Sequence, residues 1–131
     1  MEKININYLP LFNKHFLDFL SDIESVFPED VDIKTAKNSV IFLQKSNPSL
    51  LLKLWKSHIN VKYQDTIDKG DIDFFIYKDY NKDLVKSSNS EQINLIISRL
   101  REPISKMSIE NKNKTIKYIQ NLSKLANLYN I

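Results

Sequence analysis

The stretch that decides the fold is residues 8–27, YLPLFNKHFLDFLSDIESVF. Stepped around a helix at about 100° per residue, its apolar side chains fall on one wide arc. That arc holds Tyr8, Phe12, Phe16, Phe19, Leu20, Ile23, Val26 and Phe27, while Lys14, Asp18, Ser21 and Ser25 lie opposite. Pro10 suits a first turn, where a missing N–H costs nothing, and Pro28 stops the helix. An amphipathic helix of this length needs other apolar stripes to cover it, and the rest of the chain supplies them.

Asp30 is placed to cap a second helix whose inward face is Ile33, Ala36, Val40 and Leu43. Asn47-Pro48 ends it and starts a third, with Leu51, Leu54, Trp55, Ile59 and Lys62 on the inward stripe. The Lys62 stem can cover apolar surface while its ammonium reaches water. This helix is expected to continue through Lys69, with Gly70, the only glycine, at the left-handed position after its end. Asp71 then caps the short apolar segment 72–77, read as a helix because no second strand is present to pair with it. Residues 79–89 read as a polar loop.

Ser88 and Glu91 make a capping box ahead of Ile93, Ile96, Ile97, Leu100, Ile104 and Met107. Pro103, inside that pattern, is expected to kink the helix or split it near Glu102. Ser108 caps a last helix, with Glu110 favourably placed against its dipole and Ile116, Ile119, Leu122, Ala126 and Tyr129 as its stripe. The expected fold class is all-α, a compact bundle of five to six short amphipathic helices forming a single helical domain over residues 1–131.

Composition excludes several chemistries. The 131 residues suit one domain, and 42% apolar with 27% charged residues is a globular balance. One glycine leaves no phosphate-cradling loop or dinucleotide fingerprint, and the absence of cysteine removes disulfides, thiol nucleophiles and zinc ribbons. No apolar run approaches the roughly 18 residues of a membrane span, and residues 1–8 lack a signal-peptide cleavage pattern. Asn113-Lys114-Thr115 and Asn121-Leu122-Ser123 match the glycosylation pattern by chance in a chain without a secretory signal. Cytosol or nucleus is the expected setting.

The remaining candidates for chemistry are sparse. His15 and His58 lie on apolar helix faces and could meet if the first and third helices pack, but a histidine so placed is more often part of a core than a ligand. The series Asp65, Asp68, Asp71 and Asp73 fails the calcium-loop frame, because Phe75 and Ile76 stand where a ligand and a glycine are needed. No serine, histidine and acid fall in a nucleophile frame. Tyr77, Tyr80 and Tyr129 sit at segment ends, where tyrosine can anchor a partner. The reading is no enzyme, no cofactor, no metal site and no small-molecule substrate.

Charge is the informative property. The net +3 is unevenly spread, with residues 64–83 acidic and residues 98–131 basic. On the last helix Lys114, Lys117, Asn121 and Lys124 recur at i, i+3, i+7 and i+10, one stripe on one face. Arg99, Arg101 and Lys112 lie nearby in sequence. Such a stripe can follow a phosphate backbone or meet an acidic protein surface, and a lysine-rich outer face also simply solvates a helix.

Three blocks carry a resemblance. The first runs from Leu11-Phe12-Asn13-Lys14 to Val26-Phe27-Pro28-Glu29-Asp30. The second is Asn47-Pro48 with Lys53-Leu54-Trp55-Lys56, then Asp71-Ile72-Asp73-Phe74-Phe75 ending in Lys78-Asp79-Tyr80. The third runs from Met107-Ser108 through Asn111-Lys112-Asn113-Lys114 to Asn127-Leu128-Tyr129. Together they resemble small uncharacterised helical proteins of nucleocytoplasmic large DNA viruses of algae and amoebae, over nearly the whole chain. The lysine-, isoleucine- and asparagine-rich usage of an AT-rich coding sequence is compatible with that source. The resemblance implies a setting, the host cytoplasm and virus factory or the virion, and carries no catalytic or binding residue. The expected function is a non-enzymatic structural or protein-interaction component acting through a protein partner or self-association. The alternative is a nucleic-acid-binding accessory factor using the basic C-terminal helix.

Overall fold

The helical stripes assemble as their periods require. The computed structural model describes residues 8–71, 73 and 90–129. Helix α1 spans Tyr8–Val26 and α2 spans Val31–Ser46. Helix α3 (Leu50–Leu54) runs into a π-helical turn, Trp55–Asn60, and on into α4 (Val61–Lys69). Helix α5 spans Ser90–Ser105 and α6 spans Ile109–Leu128. No strand occurs among the described residues. The expected helix over 72–77 and the Ser88–Glu91 box lie outside the described residues.

Helix α1 organises the core. It packs against α2, α3 and α6; α2 packs in turn on α5, and α6 on the π turn and α4. Phe12, Leu20 and Ile23 of α1 are fully buried with Ile33, Ala36 and Val40 of α2, Leu52, Ile67, and Leu122 and Ala126 of α6. Phe12 and Phe16 meet the Trp55 ring edge-on, with centroids 6.1 Å apart in both pairs. This geometry adds an electrostatic term to the area they bury.

Local signals set the helix ends. Asp30 caps α2, its Oδ1 accepting from the backbone N–H of Asp32 and Ile33 at 2.8 and 3.2 Å. Ser108 caps α6, its Oγ accepting from Asn111 N–H at 3.2 Å. Gly70 has φ +72 and closes α4, with Gly70 N–H donating to Ile67 C=O and Asp71 N–H to Thr66 C=O. These two bonds define a Schellman turn, which needs a left-handed residue. A Cβ at Gly70 would meet nothing closer than 3.7 Å, so backbone conformation is the only obstacle. Gly70→Ala is therefore expected to lower the unfolding free energy by about 1 kcal/mol, read by urea denaturation. No loss would mean that the turn relaxes to negative φ.

One expectation is corrected and another is narrowed. The third helix does not continue evenly: it widens into the π turn at Trp55–Asn60, and Tyr63 leaves helical geometry at φ −123, ψ 17. One extra residue in a turn shifts the inward face, which a fixed period cannot anticipate. Pro103 does not split α5, which runs through it to Ser105. Pro103 stands in the last turn, so little helix remains beyond it to be interrupted.

Candidate interaction face

The stripe expected on the last helix is present and open to solvent. Lys114, Lys117, Asn121 and Lys124 are all exposed on the face of α6 opposite Ile119, Leu122 and Ala126. From Lys114 to Lys124 the stripe runs about 15 Å along the axis. No carboxylate among the described residues pairs with these three ammonium groups. A cation left unpaired on a rigid helix is available to an external anion.

The other basic candidates lie elsewhere. Lys112 is half-buried, with its Nζ 3.9 Å from Asp73. Arg99 is on α5 and bridges to Asp32 near the start of α2 at 3.3 Å. Arg101 is also on α5 and half-buried. The structure thus gathers four of the seven sequence candidates into one stripe and gives Lys112 and Arg99 partners within the fold.

Carboxylates border the stripe on both sides. Towards α1 stand the exposed Asp18 and Asp22, and the Tyr118 hydroxyl donates to Asp22 Oδ2 at 2.6 Å. Towards α4, Asn127 donates to Gln64 Oε1, and Gln64 donates to the exposed Asp68 at 2.9 Å. Packed helix axes are about 8–10 Å apart, comparable with the Debye length of roughly 8 Å at physiological salt. A ligand covering α6 therefore feels both the cations and their acidic margins.

Aromatic packing anchors the α1 margin. Tyr118 lies between Phe19 and His15, with ring centroids 5.4 and 4.9 Å away. The Asp22 hydrogen bond, ahead of burial, pushes the Tyr118 hydroxyl up to about 12. His15 Nε2 is buried and has no hydrogen-bond partner among the described residues. Burial holds the imidazole below its usual 6.5, with Asp18 opposing and Lys14 adding to the effect. An unfolded chain takes up this proton near pH 6.5 while the folded one resists it, so stability falls as pH drops through and below that value. Denaturation between pH 5 and 7.5 should show a slope that His15→Gln reduces. An unchanged slope in the variant would assign the pH dependence to other groups.

A small recess opens beside Tyr118, between α1 and the start of α6. Its volume is about 100 Å³, over Phe19, Ile23 and Met107, with Asp22 and Lys114 at the rim. Sequence reasoning missed Tyr118 and Asp22 because they stand 96 positions apart and neither belongs to a local pattern. The only local signal was Tyr118's place on the border between the apolar stripe and the lysines.

Among the described residues no three His, Asp or Glu side chains converge as metal ligands, and no helix is long and apolar enough to cross a membrane. The side chain of His58, and with it the meeting of His15 and His58, lies outside the described residues, as do Tyr77 and Tyr80. Compared with protein families, curated proteins and solved structures, the chain matches none of them.

Proposed function

We infer that this chain is a non-enzymatic protein-interaction module that engages an acidic protein surface through the outer face of α6. The observation that carries this reading is the exposed stripe Lys114, Lys117 and Lys124, without a carboxylate partner among the described residues, on a helix whose opposite face is locked in the core. The acidic margins favour a protein partner over nucleic acid. A duplex is negative across its whole width and would bring phosphates against Asp18, Asp22 and Asp68. A protein segment can be acidic along its centre and neutral or basic at its edges. The resemblance to large DNA virus proteins supplies the setting of this proposal, a structural or accessory component of the virus factory or virion.

Fluorescence anisotropy with an acidic peptide and a single-stranded oligonucleotide of equal net charge, together with a short duplex, tests it. The peptide is expected to bind tightest, and K114E/K117E/K124E is expected to weaken it at least ten-fold while the melting temperature is kept. Tighter duplex binding, with a salt slope near the −3 that three neutralised phosphates would give, would transfer the function to nucleic acid. Binding that the triple variant does not alter would remove α6 as the face.

A further inference from the structure

The recess between α1 and α6 gives the partner a second feature besides charge. We propose that it seats one branched aliphatic side chain of an acidic peptide segment, whose carboxylates then lie along Lys117 and Lys124. The proposal rests on the reading of α6 as the binding face and adds an apolar anchor with a defined register.

Size selects the side chain. The recess measures about 100 Å³, smaller than the roughly 150 Å³ of a dry cavity that takes benzene. A leucine, isoleucine or valine side chain matches that size. Three buried apolar side chains, Phe19, Ile23 and Met107, line it together with the buried Thr115, whose hydroxyl donates to Asn111 C=O. Covering the apolar surface gains about 25 cal/mol per Å².

The rim selects a peptide. Asp22 is held by the Tyr118 hydroxyl at 2.6 Å through one oxygen, which leaves the other able to accept a backbone N–H. Lys114 lines the same recess and can donate to a carbonyl. An acceptor and a donor flanking this recess match the N–H and C=O on either side of one residue.

Continuity sets the register. Lys114 belongs both to the recess and to the stripe, so a single segment reaches all of it. Along the helix axis Lys117 lies about 4.5 Å and Lys124 about 15 Å beyond Lys114. A helical partner would therefore carry its acids about one and three turns from the anchor. Asp22 stands at the recess rim and disfavours acids beside the anchor, which fixes the direction of the segment.

The probe is a capped helical peptide with one leucine near its start and glutamates one and three turns later, in an alanine–glutamine background. Binding is measured by anisotropy, and residues are located by amide chemical-shift changes in the intact chain. Replacing the peptide leucine by alanine is expected to weaken binding at least ten-fold. Asn111→Phe and Ser25→Phe, two rim substitutions from opposite helices, are expected to do the same, each checked for an unchanged melting temperature. Moving the glutamates to the leucine end should weaken binding as well. If K114E/K117E/K124E abolishes binding while the leucine and both fillers prove neutral, the anchor is overturned and the interaction face stands. If fillers abolish binding while the lysine variant is neutral, the anchor stands and the stripe reading falls. No binding of the probe at millimolar concentration overturns the anchor.

Discussion

Phe12→Ala lowers the unfolding free energy by about 3–5 kcal/mol, the cost of a large-to-small change in a packed core. Phe12 has no exposed surface and sits in α1, the helix that α2, α3 and α6 all contact. Its ring packs on Phe16 at 6.0 Å and on Trp55 at 6.1 Å, so truncation removes one aromatic contact within α1 and one to the π turn. Neighbours held in helices collapse only partly into the space, and the void adds to the lost transfer energy. A stability of 5–15 kcal/mol is typical of a domain, so this variant is expected to be partly unfolded at 37 °C. Urea denaturation followed by circular dichroism reads the effect. A loss below about 1.5 kcal/mol would mean that the core repacks around the gap, contrary to the central place given to α1.

Trp55→Ala is expected to cost about 3 kcal/mol, at the lower end of the range because Trp55 is half-buried. Two contributions separate. The ring packs edge-on against Phe12 and Phe16, and its Nε1–H donates to Ser123 Oγ at 2.9 Å. Ser123 is 1% exposed, so that hydrogen bond forms away from water and joins the π turn to α6. Trp55→Phe keeps much of the packing and removes the donor, and it should cost about 1–2 kcal/mol. A double-mutant cycle with Ser123→Ala then isolates the bond, with a coupling of about 1 kcal/mol expected. Zero coupling would make the contact incidental and leave packing alone to hold the turn.

The helices were legible because their apolar stripes repeat locally. Ile33, Ala36, Val40 and Leu43 need only the period of one helix to be assigned inward, and all four are buried. Asp30, Ser108 and Gly70 act on backbone groups within five positions, so their roles can also be read along the chain. The π turn is different, since it is stabilised by what it faces: Trp55 on Ser123, and Lys56 Nζ donating to Tyr129 C=O at 2.7 Å. Those partners are 68 and 73 positions away, beyond any local pattern. Pro103 leaves α5 unsplit because a proline's effect depends on how much helix follows it. The lysine stripe was legible as spacing, whereas its acidic margins and the recess at its head arise only when α1 and α4 are laid beside α6.

The packing of α1 against α6 joins segments made early and late. At roughly 5–20 residues per second, the ribosome needs on the order of 5–20 s to make the hundred residues that separate them. Throughout that interval Phe12, Phe16 and Phe19 lack the helix that completes their cover. The core therefore closes only once α6 has emerged. Because α6 both closes the core and carries the lysines, the chain presents Lys114, Lys117 and Lys124 as one face only once it is folded.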